Sequence, residues 1–348
     1  MAIISHTYDL IVGVDTHARN HVYALITNTG ELLACDTFPA TSPGHARALA
    51  WIRRRTPTHR TLLWVIEGIG TYGAGLARTA KAAGYDIAEA PRIDNRRTGK
   101  TDQLDAQQIA RAVLPLDTTR LRRPRLDDGT RDALRTLIAA RDQMTTERTA
   151  NINALTALLR RADLGLDARH PLTRTQITTI TAWRTRTEPT ATSIARHEAI
   201  RLATRITTLT TDLAANTATM TTLVTASPAA TLLNEPGIGV YTAAILYTTW
   251  SHPGRVHSEA AFANLCGTSP IPASSGNTTR HRLNRGGDRR ANRALHIAIL
   301  YKTAHDPQTR AYIQRRTTEG LTPRDIRRCL KRHLARRVYK ALEHANPA

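Results

Sequence analysis

Cysteine is scarce: Cys35, Cys266 and Cys329 stand far apart and form no CxxC pair. That argues against a zinc site or a disulfide framework and fits a reducing compartment. The chain has no apolar run of roughly 18 residues or more, which excludes a spanning helix. The opening MAIISHTYDLIVGVD has no basic stretch ahead of an apolar core, so no secretory signal is expected. Phenylalanine occurs only at Phe38 and Phe262, leaving too little material for a base-stacking aromatic sheet of the RNA-recognition-motif kind. The 14 histidines include no HExxH and no paired ligand spacing; His17 and His296 are given no role. A cytoplasmic protein is the expectation.

Acidic residues are also in deficit. The chain carries 49 basic and 28 acidic residues, a net charge of +21. A polyanion is the partner such a charge selects, and nucleic acid is the usual one. Lysine occupies only positions 81, 100, 302, 331 and 340, so nearly all the positive charge is arginine. The planar guanidinium suits two-point phosphate contact. A GC-rich coding sequence accounts for much of the Arg-over-Lys bias but not for the net charge, because such codons also supply Asp. The charge is uneven: +3 over residues 1–115, +6 over 116–230 and +12 over 231–348. The last third is the expected nucleic-acid grip, with binding that weakens steeply as salt rises.

The 348 residues suffice for two compact domains or one domain with a helical extension. DLIVGVD (9–15) reads as a buried strand, followed by strands HVYALITN (21–28) and LLACDTF (32–38) around an Asn28-Thr29-Gly30 turn. A helix over 43–56, a strand TLLWVIE (61–67), a helix over 72–83 and a strand YDIAEA (85–90) follow, and a helix starts at Thr101. A three-strand meander and then alternating helix and strand is the order of an α/β ribonuclease-H-like domain. In that fold the first strand lies beside the strand that follows the first helix.

Beyond 125 the pattern becomes helical. Leu134, Leu137, Ile138, Met144, Ile152, Leu155 and Leu159 recur at helical spacing. Ile206, Leu209, Leu213, Met220 and Leu223 do so in a coiled-coil-like register. With breaks near 170–176 and 187–193, two long helices in an antiparallel hairpin are the simplest reading; an ordinary helical bundle fits as well. The expected division is 1–125, a catalytic α/β domain; 126–226, a helical coiled-coil or oligomerisation region; and 227–348, a mostly helical C-terminal domain with a basic surface.

Asp15 and Glu67 each end an apolar strand, and those strands are expected to be neighbours, so both carboxylates belong at one end of the sheet. Asp102 and Asp105 share a helix face at i, i+3. Four gathered acids repel and raise one another's pKa. Hard divalent cations, Mg²⁺ or Mn²⁺, resolve that repulsion. A pair of them holds the attacking and leaving oxygens of a phosphodiester in line. Each acid alone is explained as a turn former or helix-dipole partner; the four together in this order are not.

Pro236-Gly237-Ile238-Gly239 resembles a helix-hairpin-helix turn, in which Gly237 and Gly239 let backbone N–H groups approach phosphate. A tight helix–helix turn explains it too. Ser274-Ser275-Gly276 precedes Arg280, Arg282, Arg285, Arg289, Arg290 and Arg293. From the residues alone the serines are loop formers and the arginines a solvated DNA-binding face.

Taken in order, IVGVDTHARN, VIEGIGTYG, KTDQLDAQQIA, EPGIGVYTAAIL and SSG…RLNRGGDRRANRAL resemble the DEDD-type transposases of the IS110 kind and the related Piv DNA invertases. The resemblance spans roughly residues 9–300. It implies a RuvC-like nuclease fold with metal ligands Asp15, Glu67, Asp102 and Asp105, a coiled-coil segment, and a transposase domain with a nucleophilic serine. By its place before the glycine that serine is Ser275, with Ser274 in reserve. The resemblance further implies a phosphoserine link to donor and target double-stranded DNA and guidance by a structured bridge RNA. It also implies a homo-oligomer, dimer to tetramer, in which one subunit's carboxylates join another's serine. The turn after the glutamate (Gly68-Ile69-Gly70-Thr71-Tyr72) departs mildly from the family pattern, as does the basic tail RDIRRCLKRHLARR (324–337). Two rivals stay open: a RuvC-like metal-dependent nuclease with no covalent intermediate, and a non-catalytic nucleic-acid-binding protein.

Overall fold

In the computed structural model, the residues described are 2–91, 101–125, 129–274, 281–282, 284 and 286–345. By internal contacts the chain divides into two units: Met1–Leu126 with Gly254–His257, and Asp127–Pro253 with Ser258–Ala348. No helix among the described residues is long and apolar enough to cross a membrane.

The first unit is built on a five-stranded sheet. After a one-turn helix α1 (Ile4–Thr7) come β1 (Leu10–Thr16), β2 (Asn20–Thr27) and β3 (Leu32–Pro39). Then follow α2 (Ser42–Arg53), β4 (Leu62–Ile66), α3 (Ala74–Ala82), β5 (Asp86–Glu89) and α4 (Asp102–Arg111). The sheet order is β3-β2-β1-β4-β5. β1 pairs antiparallel with β2 and parallel with β4, the strand that follows the first long helix, as the order of elements in the sequence requires. β1 is buried along its whole length because helices cover both faces of the sheet.

Side chains of a strand alternate between the faces, and this alternation sorts the core. Leu10, Val12 and Val14 pack with Ala48, Leu49, Ile52, Leu76 and Ala80 on the α2–α3 face. Ile11, Leu63 and Val65 pack with Ile109, Ala110 and Val113 on the α4 face. Gly13 belongs to this second face. A Cβ there would sit 2.1 Å from the carbonyl oxygen of Ala106 and 2.6 Å from the amide nitrogen of Ala110. The backbone of α4 therefore lies directly on β1, an approach only glycine allows. Ala106 completes the contact by packing against Val22 and Ala24 of β2.

The second unit is helical. α5 (Gly129–Arg161) and α7 (Thr190–Thr225) are the two long helices, with the short α6 (Arg174–Thr181) between them. They run antiparallel, because partners on one rise as those on the other fall. Asn216 Nδ2 donates to the Leu137 carbonyl, Arg141 to the Leu213 carbonyl at 3.3 Å, and Arg148 to Thr210 at 2.9 Å. Ile206, Leu209 and Met220 of the heptad-like run are buried, whereas Leu213 and Leu223 are partly exposed. The hairpin and the bundle are thus both present. α5 and α7 form the hairpin, and α6 packs Ile177 and Ile180 against their far end.

A seven-residue 3₁₀ segment (Pro228–Asn234) leads into α8 (Val240–Trp250). Then come α9 (Glu259–Leu265), a minimal hairpin of β6 (Ile271–Pro272) and β7 (His281–Arg282), α10 (Arg289–His305), α11 (Pro307–Thr318) and α12 (Pro323–His344).

Candidate metal centre

The parallel register sets Val14 beside Ile66, and the Glu67 amide donates to the Val14 carbonyl at 3.0 Å. One residue further, Asp15 stands beside Glu67. Both continue the Ile11, Gly13 and Leu63, Val65 series, so alternation directs both toward the α4 face. Gly68, at φ +54°, turns the chain away immediately after Glu67, and Thr16 Oγ1 donates to the Glu67 carbonyl at 3.1 Å. The strand ends are thereby tied together.

α4 supplies the other two acids. Thr101 caps it, its hydroxyl accepting from the Leu104 amide at 3.3 Å, and Asp102 and Asp105 occupy the first turn, where the dipole favours anions. The Gly13 contact fixes how closely that turn approaches the sheet edge.

Burial is graded across the cluster. Asp15 is 5% exposed, Asp105 is half-buried, and Glu67 and Asp102 lie at the mouth. Burial pushes the Asp15 carboxyl up, His17 and a hydrogen bond shared with Glu67 oppose this, and the charges of Asp102 and Asp105 add to it. Glu67 is pushed up first by burial, then by Asp15, with Asp105 contributing. Each of the four acids therefore acts on Asp15 or Glu67 through space.

His17 joins them. Its Nε2 donates to Asp15 Oδ2 at 3.1 Å and lies 3.6 Å from Asp102 Oδ2. Asp15, His17 and Asp102 each offer a ligand atom within 4.8 Å of the others. This residue went unassigned in the sequence, although His17 sits two positions after Asp15 and the period-two rule puts both on one face. Oxygen donors dominate the set, with one imidazole at the exposed rim. That chemistry suits a hard divalent cation and leaves room for water or substrate oxygens.

The C-terminal residues singled out in the sequence belong to the second unit. Ser275, Arg280 and Arg285 lie outside the described residues. Ser274 is exposed just after β6. Gly237 (φ +84°) faces α10, where a Cβ would meet the Ala298 carbonyl at 2.7 Å, so packing alone demands glycine there. Gly239 is the exposed N-cap of α8, with open space around it. Arg282 and Arg289 are exposed. Arg290 Nε pairs with Asp142 Oδ2 at 2.9 Å and Arg293 Nη2 with Asp142 Oδ1 at 3.0 Å; the Tyr241 hydroxyl donates to the same carboxylate. These two arginines thus brace α10 against α5 while their side chains stay half-exposed.

Gly287, Asp288 and Asn292 of the same stretch make local structural contacts. Gly287 permits a backbone approach in which a Cβ would lie 2.2 Å from the Gly267 amide. Asp288 caps α10 through the Arg290 and Ala291 amides. Asn292 Nδ2 donates to the Cys266 and Gly267 carbonyls at 2.9 and 3.1 Å.

Residues 12–162, which contain all four acids, match the family DEDD_Tnp_IS110, described as "Transposase". Residues 229–314, which contain the PGIG turn, the Ser-Ser-Gly loop and the arginine run, match the "Transposase IS116/IS110/IS902 family". Over 92 residues the chain is 33% identical to a protein of Streptomyces coelicolor described as "Insertion element IS110 uncharacterized 43.6 kDa protein". That similarity covers 26% of this chain and 23% of the relative, under a quarter of the relative's length.

Proposed function

The chain belongs to the IS110 family of transposases, and on that premise we propose that it cuts and rejoins DNA strands at a divalent-cation site held by Asp15, Glu67, Asp102 and Asp105. A RuvC-like role for the first unit rests on its strand order and on the acids at the carboxyl ends of β1 and β4. The convergence of the four carboxylates carries this reading. A fold has no structural use for a repelling cluster on a half-buried sheet edge, and cation binding relieves it.

Mg²⁺ or Mn²⁺, when bound there, offsets the charge that builds on a phosphodiester during displacement and activates an attacking hydroxyl. Asp15, anchored on the central strand, is the fixed ligand. Glu67 and Asp102, at the mouth, face the substrate side. His17 Nε2–H holds the Asp15 carboxylate and offsets part of its repulsion with Asp102 in the metal-free chain. Ser275 is the nucleophile, Ser274 its reserve, and the product of the first step is a phosphoserine: the serine oxygen bonds phosphorus and a DNA 3′ or 5′ oxygen leaves with a proton. DNA and a structured guide RNA are the partners, in a homo-oligomer.

Two measurements test this. Mg²⁺ or Mn²⁺ raises the melting temperature of the wild type and leaves Asp15→Asn unmoved. With a suicide DNA substrate the wild type accumulates a covalent protein–DNA adduct, which Ser275→Ala abolishes. Free cut ends without an adduct would replace the serine step by plain hydrolysis. Loss of nucleic-acid binding along with activity in Asp15→Asn would make the acids structural.

A further inference from the structure

In the second unit, the turn after α9, the β6–β7 hairpin and α12 enclose a cavity of about 170 Å³. Its wall carries Arg282, Arg328, Lys331, Arg332 and His333, with Asn284 beside them. No carboxylate lines it among the described residues. Two acids lie near: Asp325 pairs with Arg328 at 3.0 Å, and Glu259 is shared between Arg332 at 3.3 Å and Arg336 at 2.7 Å. Positive charge is left over.

Lys331 shows the surplus most clearly. Its ammonium donates to the amide oxygen of Asn292 at 2.9 Å, with no acid in reach among the described residues. Burial and then the neighbouring Arg328 and Arg327 push its pKa down. His333 is likewise pushed down, first by burial and then by Arg336, Arg332 and Arg316. Arg332 Nη1 is buried and has no hydrogen-bond partner among the described residues. A buried guanidinium N–H without an acceptor is costly.

The conspicuous motif of this region builds this wall. Gly287 lets the chain press against Gly267, and Asn292 pins the Cys266–Gly267 turn with its amide nitrogen while accepting from Lys331 with its oxygen. One asparagine thus ties the turn lining the cavity to the helix carrying its cations. Arg282 enters the wall from β7, whose partner strand β6 leads into Ser274.

We propose that this cavity holds a backbone phosphate of the DNA strand being processed, with Lys331, Arg332 and Arg282 as its ligands. The identity of the strand as substrate DNA rests on the function proposed above; the anion site itself does not. The volume equals that of about five or six waters, enough for a phosphodiester group and part of its sugar. Apolar atoms, the aliphatic stems of the wall residues among them, form most of its surface, and the cationic groups surround it. The basic tail of the sequence is thereby explained, because α12 positions the strand.

Cys329 lines the same cavity and serves as a reporter. The purified full chain is alkylated with iodoacetamide, with and without a short single-stranded DNA, and the rate at Cys329 is read by peptide mass mapping. Bound DNA is expected to slow that rate at least about fivefold. Lys331→Gln, Arg332→Gln and Arg282→Gln are each expected to remove most of the protection. They also weaken DNA binding and lower the slope of log affinity against log salt by about 0.7 per lost contact. Lys331→Arg, which keeps the charge, retains protection, and Arg161→Gln, outside the cavity, leaves everything unchanged. Equal melting temperatures separate these effects from misfolding. Protection that persists in the glutamine variants, or no protection by DNA, overturns the site. Protection by an RNA of the same sequence but not by DNA overturns the DNA assignment. Asp15→Asn retains protection if the cavity is real, whatever becomes of strand cleavage.

Discussion

The carboxylate centre of the first unit and the cationic surface of the second solve opposite electrostatic problems. In the first unit a handful of anions is concentrated at one sheet edge, with Asp15 nearly sealed from water. The surrounding charge is almost balanced, +3 over residues 1–115. In the second, cations are spread over α10, the β6–β7 hairpin and α12, and residues 231–348 carry +12. Charge gathered at one point suits a small multivalent ion, as proposed for the acids. Charge dispersed along a surface follows a polyanion, and each member contributes only a share. Concentration also demands rigidity, which the Gly13 contact and the strand register provide.

The largest effects are expected at the acids. Asp15→Asn and Asp105→Asn are each expected to reduce strand cleavage about a thousandfold or more, the scale of metal-held charge stabilisation, with DNA affinity unchanged within about twofold in gel-shift titration. Gly13→Val follows. Its side chain must displace the α4 backbone, so denaturant unfolding should show a loss of about 2 kcal/mol or more. The cation-induced rise in melting temperature should vanish with it. Retention of that rise would mean that α4 is not positioned by β1.

Smaller effects belong to the second unit. Asp142→Ala leaves Arg290, Arg293 and Tyr241 without their shared acceptor and should cost about 1 kcal/mol of stability, since the ion pairs are partly exposed. Arg289→Gln, at an exposed position with no ion pair among the described residues, should weaken DNA binding only severalfold and reduce the salt slope by about 1. A single arginine whose removal abolished binding would contradict a distributed grip.

The smallest expected effect sharpens the contrast by pH. His21 and His45 stack in the core of the first unit, ring centroids 5.5 Å apart. Burial pushes both pKa values down, helped at His21 by His45 and at His45 by Arg78. For such groups the unfolded chain takes up protons first as pH falls. Their contribution to stability is therefore full above the ordinary histidine range, and is lost as pH falls from there through the depressed folded values. His45→Phe, which keeps the stacked ring, should flatten the fall in melting temperature between neutral pH and about pH 5.

Much of the first unit was legible because its signals are local. Val- and Ile-rich runs marked β1 and β4, the Asn28-Thr29-Gly30 turn marked the hairpin, and Thr101 marked the start of α4. The four acids were legible because three elements of known order bring them to one edge. His17 escaped, since a lone histidine has no spacing to announce it, although its position two after Asp15 was available. In the second unit the sequence showed charge without address. Arg290 and Arg293 read as equivalents of Arg282 and Arg289, yet they are engaged by Asp142, roughly 150 residues away, at 2.9 and 3.0 Å. Gly237 read as a phosphate-contacting or tight helix–helix turn, and Gly287 and Asn292 had no reading of their own. Their neighbours show the close packing that fixes them.

What the sequence by itself determined was the set of elements and their faces, because strand alternation, helix periodicity and turn chemistry act over a few residues. The tertiary structure alone decided which charges are spent internally and which remain to meet a ligand. That outcome depends on distances between residues far apart in the chain: His17 to Asp102, Asp142 to Arg293, Asn292 to Lys331. Coulomb interaction and desolvation are set by those distances and by burial, and neither is written in local pattern.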